Sequence, residues 1–268
     1  MLEEYYNKET KTLTIPFNFN EELKDLPLDI EIIIFDEDFD KCEYSLFNKL
    51  VDNKLPSNLR HLTFGRYFNQ KVDNLPNNLI HLTFGVMFNQ EVNNLPLSLT
   101  YLTLEHCFNE TVNNLPQSLT HLTFGYWFNQ KVDNLPNNLI HLIFGYEFNQ
   151  EVDNLPKSLI HLTLGYCFNQ KVDNLPTSLT HLTFGDNFNQ KVDNLPSNTR
   201  HLTLGYCFNQ TVNNLPENLT HLTFGWDFNR RVDNLPLNIK EIKIRRKKKD
   251  LIKKIPFGCK IVDESDEE

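Results

Sequence analysis

No stretch of this sequence stays apolar for the length a bilayer crossing needs. The opening residues, Met1-Leu2-Glu3-Glu4-Tyr5-Tyr6, are acidic where an export leader would be basic and then apolar. A chain without membrane span or leader is the expectation. Cysteine is scarce and odd in number, at five. Cys107, Cys167 and Cys207 share one position of an internal repeat, two or three units apart. At about 4.8 Å per stacked strand those gaps are roughly 10 and 14 Å, too long for a disulfide. Unpaired thiols point to a reducing, intracellular compartment, cytoplasmic or nuclear, and the sequons at Asn109, Asn209 and Asn218 carry no weight there. No Walker loop, no Cys-x-x-Cys and no Ser-His-Asp order stands out, so the sequence reads as non-enzymatic and cofactor-free.

What is present is a repeat. Residues 56–75, Pro-Ser-Asn-Leu-Arg-His-Leu-Thr-Phe-Gly-Arg-Tyr-Phe-Asn-Gln-Lys-Val-Asp-Asn-Leu, recur with a strict period of 20 marked by prolines from Pro56 to Pro256. A unit of this length around Leu-x-x-Leu-x-Leu/Phe predicts a leucine-rich-repeat-like solenoid. Leu59, Leu62 and Phe64 alternate with His61 and Thr63, the period-2 pattern of a strand buried on one face. The crossover carries Pro, Gly and several Asn, too broken for a helix. The expected fold is therefore mostly β. About 12–13 rungs place a parallel sheet on the concave face and irregular, extended chain on the convex side.

The same alignment sets the expected organisation. Residues 1–11 form an N-terminal cap, 12–256 the solenoid, and 257–268 a last cap strand with an acidic tail. Pro27 and Pro56 lie 29 apart, so nine extra residues are inserted; Phe39-Asp40 stands where Phe-Asn is expected and a second pair, Phe47-Asn48, restarts the pattern, which places them near 40–48. Phe68 and its copies predict a stacked spine, joined by Val72 and Leu75. Asn69 and its copies, read as buried, must have their amides satisfied; stacked on one another they predict a ladder bonded to the backbone of the turn and the next rung, and Asn74 and its copies predict a second. Gly65 and its copies need either positive φ or a close backbone approach; Glu105 interrupts that column.

The Phe-Asn pair followed by Leu-Pro at this spacing resembles the FNIP repeat family, a leucine-rich-repeat variant known from social amoebae and giant amoeba-infecting viruses. The likeness runs over about residues 12–256. The residue before Pro is mostly Leu where the family prefers Ile, and the unit is 20 rather than about 22 residues. Many such proteins begin with an F-box that docks to a ubiquitin-ligase scaffold. Eleven residues before the first strand leave no room for one, so the resemblance implies a repeat scaffold for protein partners without that adaptor role.

Three sets of residues are candidates for function. His61, His81, Tyr101, His121, His141, His161, His181, His201 and His221 form one column on the concave strand face. Imidazoles one rung apart can chelate a transition metal, but no Cys or carboxylate completes a ligand set, so a copied ladder of stacked rings is the primary reading and no metal is assigned. The Asp73, Asp133, Asp153, Asp173, Asp193 and Asp233 column lacks the Gly-rich loop of calcium-binding repeats and reads as a turn-capping edge.

Residues 240–260 hold ten bases against two acids, while the rest of the chain carries sixteen bases and thirty-three acids. Arg245, Arg246, Lys247, Lys248 and Lys249 within that segment are either a charged cap or a nuclear-import or nucleic-acid signal. The third set is the pair of columns that varies while its neighbours repeat. It contains Arg66, Tyr67, Tyr126, Trp127, Tyr146, Tyr166, Tyr206 and Trp226, an aromatic-rich ridge suited to a protein partner. Protein binding through this ridge and the concave face is the leading reading. A nucleic-acid-associated role for 245–254 is the alternative.

Overall fold

The computed structural model describes residues 2–38 and 40–263. Phe39 and the tail from Glu264, both used in the sequence alignment above, lie outside the described residues. The chain contains no alanine, and every rung carries Pro, Asn and β-branched residues that disfavour helix. Among the described residues the helical content is two short 3-10 segments, Glu3–Tyr5 and Arg246–Leu251. The rest is a parallel-sheet solenoid of about twelve turns of about 20 residues.

The chain divides into two compact units, residues 1–130 with 134–139, and residues 131–133 with 140–268. In the first, β1 (Tyr6–Asn7) pairs antiparallel with β2 (Thr12–Ile15). It is followed in parallel order by β3 (Ile32–Phe35), β4 (His61–Thr63), β5 (His81–Thr83), β6 (Tyr101–Leu104) and β7 (His121–Phe124). In the second, β8 (His141–Ile143), β9 (His161–Thr163), β10 (His181–Thr183), β11 (His201–Thr203), β12 (His221–Thr223), β13 (Glu241–Ile244) and β14 (Lys260–Asp263) follow the same rule. Register follows the sequence repeat, His61 opposite His81 and Leu182 opposite Leu202.

Two turns bend each rung. The amide following Pro-x-x bonds back to the proline carbonyl, as Leu179 N to Pro176 O at 3.2 Å, and Phe168 N bonds to Gly165 O at 3.1 Å. The glycine at the second turn is required by space. A Cβ on Gly185 would stand 1.9 Å from the carbonyl oxygen of Gly165 one rung below. The close-approach alternative is therefore the correct one, since none of these glycines has positive φ. At Glu105 the column is broken by a half-buried side chain, and burial raises its carboxyl above the usual range, with His106 opposing and Glu37 adding to the rise.

The core of a rung is Leu59, Leu62, Phe64, Phe68, Val72 and Leu75, and their copies are buried except towards the ends, where Phe19, Leu26, Leu55 and Leu235 are half-buried. Phe64 lies flat against Phe68 at 3.7 Å, and each spine ring stacks on the next rung's at 6.0–6.3 Å from Phe19 to Phe128. The second unit repeats this from Phe148 to Phe228 at 6.1–6.2 Å. Phe47 holds the spine position in the irregular rung, so eight of the nine extra residues fall between Phe35 and Phe47. They form a small hairpin bridged at Asp38 and Glu43. The ninth falls at the turn after Val51, where Asn53 takes a φ of 59°.

Polar groups of the crossover are satisfied one rung away. The Asn69 Oδ1 accepts from the Asn89 backbone N–H at 2.9 Å, and Asn169 Oδ1 from Asn189 N–H at 2.9 Å. Gln70 and its copies brace the same oxygen, as Gln90 Nε2 to Asn69 Oδ1 at 3.1 Å. The second ladder uses the acidic column: Asn94, Asn154 and Asn194 amides donate to Asp73, Asp133 and Asp173, each at 3.0 Å.

One core position is miscast. Thr199 stands in the column of Leu59, Leu179 and Leu219, fully buried, and its hydroxyl finds no partner among the described residues. Thr199→Leu restores the column's own residue and removes the unpaired hydroxyl, so a gain of about 1–3 kcal/mol is expected in a denaturant titration. Phe168→Ala, which opens a cavity between two stacked rings, is expected to lose about 3–5 kcal/mol, against a small change for the exposed Tyr166→Ala. Comparable losses for Phe168 and Tyr166 would contradict the core assignment.

Candidate functional site: the strand face and the ridge

The strand face follows from the alternation. In β4, with Leu62 buried, His61 and Thr63 face outward half-buried. His61, His81, Tyr101 and His121 stack face to face at 4.1–4.4 Å in the first unit. His141, His161, His181, His201 and His221 do so at 4.1–4.3 Å in the second. Parallel rings offer parallel rather than convergent lone pairs. Among the described residues no group of three or more His, Cys, Asp or Glu is placed to hold a metal ion. A preceding threonine orients several rings: Thr180 Oγ1 lies 2.8 Å from His181 Nδ1 and 3.4 Å from the Ile160 carbonyl. The hydroxyl has one hydrogen to give. Donating it to the carbonyl leaves the oxygen to accept from a protonated Nδ1.

Stacking also dehydrates the rings. Burial first, and neighbouring His and Arg charge second, hold His61, His81, His161 and His201 below the ordinary imidazole value, and His181 is lowered to about 4. Like-charge repulsion is thus the lesser cause, because a neutral neighbour still excludes water whereas it repels only when charged.

The ridge runs along the exit of each strand. A second backbone ladder holds it in register, as Asn187 N to Tyr166 O at 2.9 Å and Cys207 N to Asp186 O at 2.7 Å. Tyr67, Trp127, Tyr166 and Tyr206 are exposed, while Arg66, Tyr126, Tyr146 and Trp226 are half-buried. In the first unit His106 stacks on Tyr126 at 4.7 Å, with Trp127 edge-on at 4.9 Å. In the second, Tyr146 stacks on Tyr166 at 4.4 Å and Tyr206 on Trp226 at 5.8 Å.

Guanidinium groups meet aromatic rings at two places on this ridge. Arg66 lies over Tyr44 of the inserted hairpin at 4.4 Å, and Arg245 over Trp226 at 3.2 Å. Lys248 donates to the Trp226 carbonyl, and burial lowers its pKa. The basic run is therefore not uniformly exposed: Arg245 and Lys248 are folded onto the last ridge aromatic, Lys249 is half-buried and Lys247 is exposed. The Arg246 side chain lies outside the described residues. Tyr44 and the acids beside the ridge were not singled out from sequence. Counting back from Phe47 rather than from Phe39 puts Ser45 and Leu46 in the ridge columns and Tyr44 in the glycine column beside them.

The cysteines are free. Burial, then Glu147, raises the Cys167 thiol, and burial, then Asp227 and Asp186, raises Cys207. Neither is primed as a nucleophile. No helix among the described residues is long and apolar enough to cross a membrane.

With this geometry in place, the comparisons are informative. A model described as FNIP Repeat matches residues 47–86, 71–107, 88–127, 108–134, 128–167, 168–207 and 208–247. The chain is similar to the crystal structure of CroV588, described as a novel circular LRR protein and coming from a giant virus. The TM-score is 0.77 at 43% identity, over 94% of this chain and 43% of that one. It shares its fold with YopM from Yersinia enterocolitica WA-314, at a TM-score of 0.53 and 18% identity, over 90% of this chain and 56% of that one. The chain thus spans about half the length of each of these two solved structures. No curated protein matches it.

The histidine column makes a signed prediction. With folded values below the unfolded reference near 6.5, the native state binds fewer protons between that value and about 4, the His181 value. The contribution is fully present above pH 6.5 and is lost as pH falls through the folded values. Thermal melts should move down between pH 7.5 and 5, and His181→Gln should flatten the slope. A melting temperature unchanged across that range would contradict the assignment.

Proposed function

Because the chain belongs to the FNIP repeat family, a leucine-rich-repeat type of scaffold, we propose that it is a non-enzymatic scaffold that binds a protein partner through its strand face and aromatic ridge. One observation carries this reading. Core and ladder columns hardly vary from rung to rung, whereas the ridge columns vary freely and keep large aromatics at exposed positions, with Trp127 at 49% and Tyr206 at 45% exposure. Tyr and Trp are the side chains that most often dominate binding energy. A stack holds them rigid, so little conformational entropy is lost on binding.

The histidine column extends the surface with flat, weakly charged rings. The alternative, a nucleic-acid-associated nuclear role for 245–254, has less support, since Arg245 and Lys248 are engaged with Trp226. The unpaired cysteines favour an intracellular setting.

The ridge reading is tested with two variants in parallel, Tyr126→Ala with Trp127→Ala in the first unit and Tyr166→Ala with Tyr206→Ala in the second. Capture of a host protein should drop at least tenfold in one or both while the circular-dichroism melt stays within a few degrees. Capture that survives both variants but disappears on neutralising Lys247, Lys249, Lys253 and Lys254, together with salt-dependent binding to RNA or DNA, would favour the nucleic-acid reading.

A further inference from the structure

The ridge of the second unit has a gap with a charge in it. Reading along the column, Tyr146 and Tyr166 stack on each other, Asp186 follows, and Tyr206 and Trp226 stack on each other beyond it. Tyr166 has one face on Tyr146 and Tyr206 has one face on Trp226, so the remaining faces border the Asp186 rung. The two rings are two rungs apart, about 9.6 Å at the spacing of paired strands. A planar cation with its own van der Waals thickness on both sides fits that width. The Asp186 side chain is exposed, no ion pair engages it among the described residues, and its carbonyl is fixed by Cys207 N at 2.7 Å.

The chain already fills the neighbouring position of this column with such a cation. Arg245 closes it by lying over the Trp226 ring at 3.2 Å, while Lys248 donates to the Trp226 carbonyl. The charge balance around the gap agrees. Between residues 140 and 239 the two ridge columns of the second unit carry Glu147, Asp186 and Asp227 and no base, the bases Arg246 and Lys247 entering only at the last rung, whereas those of the first unit carry Arg66 and no acid. Cation–aromatic contact beside a carboxylate selects arginine over lysine, because the guanidinium stacks flat and forks onto the carboxylate together.

We propose that the Tyr166–Asp186–Tyr206 slot is the specificity point of the ridge and receives an arginine side chain from a basic segment of the protein partner. This rests on the ridge reading above and adds the chemistry of the occupant. The guanidinium lies between the two tyrosine faces and pairs with the Asp186 carboxylate. Flanking basic residues of the segment meet Glu147 and Asp227.

The test uses the full chain and a fluorescent peptide of sequence Gly-Ser-Arg-Gly-Ser-Arg-Gly-Ser-Arg. Identical peptides carrying Lys or Gln in place of Arg are compared by anisotropy at low and moderate salt. The Arg peptide should bind at least fivefold tighter than the Lys peptide, and the Gln peptide should not bind measurably. Asp186→Asn should weaken the Arg peptide at least tenfold and Tyr206→Leu by a similar factor. Glu217→Gln, which removes one exposed charge away from the ridge, should leave binding within twofold. Equal loss for Asp186→Asn and Glu217→Gln would reduce the effect to net charge and overturn the proposal, as would equal binding of the Arg and Gln peptides. If the ridge variants lose their host partner but the Arg peptide ignores Asp186, the ridge reading stands and the arginine slot falls. If the peptide result holds while host capture is indifferent to the ridge, the slot exists but the partner reading fails.

Discussion

Each crossover lacks a helix, and its two turns serve only some of its backbone donors from within the rung. The structure depends on supplying the remaining partners from one rung away. A side-chain amide does this at Asn69 and its copies, its oxygen accepting the next rung's N–H at 2.8–3.0 Å along both units. Such a hydrogen bond contributes about 0.5–1.5 kcal/mol net, and one recurs in every turn. The rest follows from that constraint. The ladder continues even through the irregular rung, where Asn48 N–H donates to Asn20 Oδ1 at 3.1 Å across 28 residues; the glycine at the strand exit lets successive rungs approach closely enough, and the phenylalanine beside the asparagine fixes the depth at which the ladder sits.

A scaffold copied this rigidly leaves few positions free, and those positions are where function is to be sought. The columns around Leu62, Phe68 and Asn69 are occupied on both sides by their own copies. The ridge columns contact their neighbours through backbone ladders and ring stacks that tolerate many residue types, so Arg66, Met87, Trp127, Glu147 and Asp186 coexist on one backbone path. The likeness to CroV588 and the FNIP model accounts for that path. It does not account for the difference between a ridge without acids in the first unit and one with three in the second.

Much of this was legible in the sequence. The strand positions, the phenylalanine spine and both amide ladders follow from a period of 20 with alternation around Leu62, because register in a stack is the same quantity as repeat length. The less legible parts lie where the repeat lapses. Counting alone could not decide whether Phe39 or Phe47 continues the spine, since both precede an Asx residue, and so the hairpin that brings Tyr44 under Arg66 was missed. The basic run looked uniform as a string of charges. Its 3-10 turn separates Arg245 and Lys248, which fold onto Trp226, from the exposed Lys247. The histidine column was legible as a stack, but the leading cause of its lowered pKa values was not, since burial by a neighbouring ring is a property of the packed face.

The most direct test of the ladder is amide hydrogen exchange on the Asn169→Ala variant. In the parent chain the Asn189 N–H is bonded to the Asn169 side-chain oxygen at 2.9 Å, and its exchange should be slow. In the variant that amide should lose its protection by at least tenfold, and global stability should fall by about 0.5–1.5 kcal/mol, while Asn209 N–H, served by Asn189, keeps most of its protection. Unchanged protection at Asn189 together with unchanged stability would show that the crossover backbone is satisfied by other means, and that the ladder is a by-product of the repeat rather than its cause.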